Sequence, residues 1–307
     1  MQIRQLRYLC HIAEHGGSIT AVAKALHTSQ PSVSRDLRAL ELELGVELFH
    51  RARNRIVGIT DCGHEALRLA RQAVDSLNNL RTLGAEWSGD QRGTLTVAAS
   101  QTLARFLLPQ VIVLFNQQHP QVRVTLRQTD PGHIAELVAT GGADFSIAPE
   151  PPEVQAGLIY LPCMTHTRVV LVPESHPLQR QKKFGFADLA RYPLITFEQR
   201  FSIYNQVTEG FAAHGLVPNI VLTATDAEVI KTYVRHGLGI AIVASVAHNP
   251  TEDIGLIALD ATHLFKPRPV KIGLRRKTLL RSYAYDFLLL LSADLQRSRV
   301  ERLLFAD

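Results

Sequence analysis

Residues 19–38, ITAVAKALHTSQPSVSRDLR, constrain the fold more than any other stretch, because they describe two short amphipathic helices separated by a turn too tight for another arrangement. On the first helix Val22, Ala25 and Leu26 make an apolar stripe, with the small Ala21 where a partner helix can come close. His27 and Thr28 break that pattern. Ser29 then stands at the N-cap of the second helix and Pro31 in its first turn, where no internal donor is lost. Val33, Leu37, Leu40 and Leu44 recur at spacings of four, three and four and are expected to share one buried face. Gln30, Ser34, Arg35 and Arg38 occupy the opposite face, which is polar, long-reaching and free of bulky hydrophobes. Such a face suits a helix in the DNA major groove, with Gln and Arg meeting base edges and Ser meeting phosphates. An ordinary helical hairpin with a solvated face has the same pattern, so these residues alone leave both open.

The next segment narrows the choice. Within residues 29–63 the pieces Ser29-Gln30-Pro31-Ser32, Leu40-Glu41, Leu44-Gly45, Leu48-Phe49, Arg51 and Ile59-Thr60, ending at Gly63, follow one another at fixed spacings. With these pieces the segment resembles the winged helix-turn-helix of LysR-type transcriptional regulators. Gly45 is placed to end the recognition helix, and Leu48 with Phe49 to anchor a returning strand. Arg51, Arg53 and Arg55 fall in the hairpin wing, within reach of phosphates or a neighbouring minor groove; a solvated arginine cluster is the plain alternative. The resemblance implies that Ser29, Gln30, Pro31, Ser32, Ser34, Arg35, Arg38, Arg51, Arg53 and Arg55 meet double-stranded operator DNA.

A chain of 307 residues with 46% hydrophobic content can bury two or three cores and has no bias toward disorder. The formal charge of +5 permits a nucleic-acid partner, yet residues 1–65 hold eight Lys/Arg against seven Asp/Glu, so net charge is weak evidence. A denser basic run, residues 266–281, has seven Lys/Arg and no acid; it reads first as solvated surface or the edge of an anion pocket, and second as an auxiliary contact. Cys10, Cys62 and Cys163 have no close pairing or metal-ligand spacing, which argues for a reducing compartment, and the apolar setting of Cys163 suggests inert packing. The first residues lack the apolar core of a signal peptide, and the longest apolar run, residues 287–291, is too short for a bilayer. A cytoplasmic protein without a membrane partner is expected.

Residues 63–87 contain no Pro and few turn residues, and Leu67, Ala70, Val74, Leu77, Arg81 and Gly84 mark a heptad-like seam. That stripe needs a partner, either a second copy or the helix's own domain; the resemblance implies a dimer held by this helix, with dimers or tetramers presenting two-fold related heads. From residue 91 onward strand and helix alternate: strands at 94–99, 122–127 and 145–148, helices at 103–116 and 134–139, then VVLV, PLITF, a helix at 204–214, IVLTA, a helix at 227–236 and IAIVA. Alternation of this kind predicts parallel sheets with helices on both faces. The fold class expected is therefore α/β with an N-terminal all-α winged helix-turn-helix (1–60), a linker and dimerisation helix (61–90), and an effector-binding domain (91–307). Two Rossmann-like lobes, about 91–162 with 268–307 and about 163–267, are expected to make a cleft like that of type 2 periplasmic binding proteins, with crossing segments near Pro162 and Lys266.

Ligands of open α/β sheets bind beyond the carboxyl ends of strands. Ser100, Gln101 and Thr102 follow the first strand of one lobe, and Phe201 and Ser202 precede the helix at 204 in the other, supplying hydroxyl and backbone donors suited to a small anion. Helix capping alone would explain each residue taken singly, and Asp226 reads as an N-cap. The segments AASQTLARFLLP, GGADFSIA, LPCMTHTRVV, ATDAEVIKTYVRHGLGI and KIGLRRKTLLRSYAYDF resemble the CysB-like branch of the family, regulators of sulfur metabolism. The resemblance implies an effector site with hydroxyls at Ser100, Thr102 and Ser202 and further positions at Leu103, Pro149 and His166; Gln101 and Phe201 of the same loops, and Asp226, are expected beside them. Leu103 stands where that branch has Gln, Pro149 where it has Thr and His166 where it has Trp. Losing two polar side chains would leave groups of the usual O-acetylserine-derived inducer unpaired, at about 1 to 3 kcal/mol each, so a small anionic, sulfur-related effector of changed identity is expected. His166 either adds charge when protonated or simply fills space.

An effector-responsive transcription factor is thus the first function expected, with RNA polymerase left open as a further partner. An enzyme is opposed by the lack of a nucleophile elbow, a metal-ligand cluster or a coherent acid/base pair, although His133 and Glu136 lie one helical turn apart. Gly237-Leu238-Gly239 follows a helix and precedes a strand, the reverse of a dinucleotide loop, and no cofactor is expected. A solute-binding module is opposed by residues 29–55 and by the missing export signal.

Overall fold

A computed structural model describes residues 1–53, 55–149, 154–181 and 183–306. The chain forms two compact units, Met1–Asp90 with Lys277–Arg281, and Gln91–Arg276 with Ser282–Asp307.

The first unit contains α1 (Ile3–Glu14), α2 (Ile19–Ala25), α3 (Gln30–Leu44), the antiparallel hairpin β1 (Phe49–Ala52) and β2 (Arg55–Ile59), and the long α4 (Asp61–Trp87). The Ser18 hydroxyl caps α2 at Ala21 N (3.2 Å), the Ser29 hydroxyl caps α3 at Ser32 N (3.3 Å), and Gly45 ends α3 at φ +71°. Leu9, Ile12, Val22, Val33, Leu37, Leu40, Leu48, Phe49, Leu67 and Ala70 form its core. Two stripe positions differ from expectation. Ala23, not Ala25, shares the buried face with Val22, because α2 is a single short helix that rolls this edge onto the core. Leu44 is exposed because it occupies the last turn, where the chain bends away at Gly45. A Cβ at Gly63 would lie 2.0 Å from the Leu48 carbonyl oxygen, so only glycine lets α4 start against this strand.

The seam expected to dimerise α4 is divided. Leu67 and Ala70 are buried in the unit's own core, whereas Arg81 and Gly84 are exposed. A second stripe, Leu69, Ala73, Ser76, Leu80, Leu83 and Trp87, runs at alternating spacings of four and three along a wholly exposed face, with Leu80 65% and Trp87 86% exposed. The segment Lys277–Arg281 lies on α4: Asn79 donates to Lys277 O (2.7 Å), Leu279 N donates to Asn79 (2.8 Å), and Arg281 pairs with Glu86 (2.7 Å).

The second unit has two sheets. One is ordered β4 (Val122–Gln128), β3 (Gly93–Ala99), β5 (Phe145–Pro149), β12 (Arg268–Arg275), β6 (Leu158–His166). It is flanked by α5 (Gln101–Phe106), α6 (Leu108–Gln118), α7 (Pro131–Ala139), α11 (Ser282–Leu291) and α12 (Arg297–Leu304). The other is ordered β11 (Leu256–Asp260), β7 (Arg168–Pro173), β10 (Ile240–Ala244), β8 (Leu194–Phe197), β9 (Ile220–Ala224), with α8 (Phe186–Leu189), α9 (Ser202–Ala212) and α10 (Ala227–Arg235). Both sheets are mixed, not purely parallel. β3 runs parallel to β4 and β5, but β12 is antiparallel to β5 and β6; β7 is likewise antiparallel to β10 and β11. The antiparallel members are the strands that begin or end at the crossings between lobes, so they enter each sheet against the direction set by its strand–helix–strand units. The first crossing falls at Thr167, later than residue 162, because β6 stays paired with β12 as far as His166. The expected helix at 103–116 is broken into α5 and α6, since Pro109 lacks the donor needed inside a helix and is tolerated only in a first turn.

Candidate nucleic-acid interface and ligand cleft

Burial of Val33, Leu37 and Leu40 turns the opposite side of α3 to solvent. Gln30, Pro31, Arg35 and Arg38 are exposed and Ser34 is half-buried; Pro31, Ser34, Arg35, Arg38, Ala39 and Leu42 line a shallow groove there. Asp36 points inward and pairs with Arg4 of α1 (2.7 Å), fixing the roll of the helix. Arg53 and Arg55 are exposed in the wing, and Arg53 takes φ +48° in its turn. Arg51 differs from the expected phosphate contact: its Nη2 lies 2.5 Å from the buried Glu41 carboxylate, which also accepts from Leu48 N (2.9 Å). Arg51 thereby neutralises an acid that fastens α3 to the start of the wing. Sequence spacing placed Arg51 in the wing but held no sign of this partner.

A cleft of about 730 Å³ opens between the lobes of the second unit. Ser100, Gln101, Thr102, Leu103, Pro149, His166, Phe201 and Ser202 all line it. Leu103 is buried, and the Ser100 hydroxyl is buried with no hydrogen-bond partner. Asp226 does not line the cleft. Its carboxylate caps α10 at Glu228 N (2.6 Å) and accepts from Gln101 Nε2 (2.7 Å), so it ties one lobe to the other. Arg200 makes a second tie, to Asp130 at 3.2 Å.

The four cationic side chains of the cleft, Arg168, Arg200, Arg268 and Lys271, escaped the sequence analysis. The last two come from the basic run at 266–281; they stand three residues apart on β12, so strand alternation does not put them on one side, and no local pattern marks Arg168. Among the described lining residues there is no carboxylate. Burial and the neighbouring guanidiniums of Arg168 and Arg268 push the His166 imidazole down to about 4, so it is neutral near pH 7 and lines the cleft without charge. Burial pushes the thiols of Cys10 and Cys163 up to about 12 and about 11, as inert packing requires.

Other groups stand apart from the cleft. His11, Glu14 and His15, at the C-terminal end of α1, bring their ligand atoms within 4.8 Å of one another, a grouping at helical spacing that the sequence analysis did not single out; it is partly exposed. His133 and Glu136 are both exposed on α7. Gly237 and Gly239 form the turn between α10 and β10. No helix of the described residues is long and apolar enough to cross a membrane.

A solvent-facing recognition helix on one unit and a cationic cleft between two lobes on the other define a ligand-responsive helix-turn-helix regulator. The profile of the bacterial regulatory helix-turn-helix protein, lysR family, matches residues 3–64, and that of the LysR substrate binding domain matches residues 88–296. The chain belongs to the LysR family of transcriptional regulators and is not an enzyme. It is 39% identical to the HTH-type transcriptional regulator CysB of Haemophilus influenzae, over 98% of this chain and 93% of that one. It is 37% identical to the regulator SsuR of Burkholderia cenocepacia, over 99% of each. The crystal structure of the cofactor-binding domain of the Cbl transcriptional regulator, 38% identical, superposes with a TM-score of 0.66 over 71% of this chain and 96% of that one. These relatives place the chain in the CysB-like branch. Regulators of the family bind operator DNA and small-molecule effectors and form oligomers.

Proposed function

We propose that this regulator controls sulfur-metabolism genes in the cytoplasm and that its cleft takes a small, sulfur-related anion. One observation carries the effector class: a cavity of about 730 Å³ lined by four cationic side chains and, among the described residues, by no acid. An anion there gains charge-assisted hydrogen bonds in a partly desolvated site, whereas a cation would meet the guanidiniums of Arg168 and Arg268. Ser100, Thr102 and Ser202 supply donors at one end, and Leu103, Pro149 and the neutral His166 reduce the polar contacts offered to an acylated serine. Calorimetry with sulfate, thiosulfate, sulfite and O-acetylserine tests this. Wild type is expected to bind at least one of the inorganic anions more tightly than O-acetylserine, and Thr102→Val to weaken that binding; silence from all four compounds removes the sulfur assignment.

Gln30, Ser34, Arg35 and Arg38 are the proposed base and phosphate contacts, with Arg53 and Arg55 on flanking phosphates. In a gel shift, Gln30→Ala with Arg35→Ala should abolish operator binding and leave effector affinity nearly intact. Homodimers, and tetramers built from them, are proposed to form through the exposed stripe of α4. The effector acts on DNA binding by linkage: it biases the equilibrium only as far as it binds one lobe arrangement more tightly than another.

A further inference from the structure

β6 ends at His166 and β7 begins at Arg168, while β12 begins at Arg268 directly opposite His166. The two strands that cross between the lobes therefore bring Arg168 and Arg268 to one place. Arg168 is 4% exposed, and its Nε and Nη2 both donate to a single neutral acceptor, Gln206 Oε1 (3.2 and 3.0 Å). Gln206 Nε2 and Arg268 Nε are buried without partners. Neither guanidinium meets a carboxylate among the described residues. Burial and the charge of Arg268 lower the Arg168 guanidinium to about 10. With Arg168 buried and Arg268 half-buried, two like charges held together with donors left over repel each other and are stabilised when something negative joins them.

We propose that Arg168 and Arg268 form a second oxyanion-binding point, at the hinge end of the cleft and separate from the hydroxyl group end at Ser100, Thr102 and Ser202. It takes a sulfate, sulfonate, phosphate or carboxylate group. Ser100 follows β3 and lies level with Lys271 of β12, two strands away, while Arg268 lies three residues further along β12, so their backbones are roughly 14 Å apart. An anion at the hinge touches both crossing segments at once and so couples its occupancy to the angle between lobes. This inference rests on the effector cleft proposed above, but on different residues.

Calorimetry of the full chain with inorganic sulfate separates the two. Wild type should bind two sulfates; Arg268→Gln should lose one of them, with affinity at that point falling by about tenfold or more, and Thr102→Val should lose the other. Arg268→Lys, which keeps the charge but not the fork, should retain part of the hinge affinity and guards against misfolding, checked by circular dichroism. Biphenyl-4,4′-disulfonate tells the source of the group. Displacement of both sulfates by one molecule assigns the two points to a single two-headed effector; displacement of one or none assigns the hinge point to a separate anion. Sulfate binding by a folded Arg268→Gln with wild-type stoichiometry and affinity overturns the hinge point. If Thr102→Val alone responds, the cleft stands without it; if neither variant responds, both fall.

Discussion

Single residues in this chain take their roles from burial more than from type. His166 is the clearest case. Its imidazole is held at about 4 in the native state, below the ordinary 6.5, so between those values the unfolded chain binds a proton that the native chain refuses. Stability contributed by this group is present above pH 6.5 and is lost as pH falls toward 4, by on the order of 3 kcal/mol. Urea melts of wild type and His166→Gln across that window should show a shallower fall for the variant. Equal slopes would mean that the native imidazole titrates normally. Arg51 makes the complementary point. Arg51→Ala leaves the Glu41 carboxylate buried with only Leu48 N to satisfy it and should cost about 2 kcal/mol, discounted for the partial exposure of the arginine. The pair Arg51→Met with Glu41→Gln should recover much of that in thermal melts, whereas a residue serving DNA alone would leave the melting temperature of Arg51→Ala unchanged.

At the level of elements, local signals predicted most of what forms. Ser29, Pro31 and Gly45 bracket α3 because capping and first-turn chemistry depend on neighbours in sequence. The break at Pro109 was equally local and was overlooked within a longer apolar periodicity. The face of α4 that packs at home could not be read from its heptads, since two stripes on one helix have similar periods and only the position of α1 selects between them. The free stripe leads to a prediction: Leu80→Asp with Leu83→Asp should move the protein to a smaller species in sedimentation velocity, with the head still folded. Unchanged sedimentation would place the interface elsewhere. Within the head, Leu37→Ala should lower stability by about 2 to 5 kcal/mol and weaken operator binding through loss of α3 packing rather than of contacts.

For the molecule as a whole, Asp226 ties one lobe of the second unit to the other, and the proposed effector would have to act across that tie. Asp226→Ala removes both the cap of α10 and the bond to Gln101; the cap alone is worth about 1 kcal/mol. Asp226→Asn keeps its carbonyl oxygen for the cap and turns an NH2 toward Gln101, whose own amide can rotate to accept it, so it should stay near wild type, while the alanine variant should bind effector several-fold more weakly by calorimetry. Equal affinities would show that the tie plays no part in closure. The sequence by itself determined the recognition helix, its caps, the alternation of strand and helix and the hydroxyl-bearing loops after β3 and before α9, because each is written by neighbours a turn or a strand apart. Only the tertiary structure decided that Arg51 serves Glu41, that Asp226 joins lobes, that the outer stripe of α4 is exposed, and that the buried Arg168 and the half-buried Arg268 meet where the strands cross. Charges so distant along the chain meet through strand crossing, and no period or spacing in a sequence records which side chains a fold deprives of water.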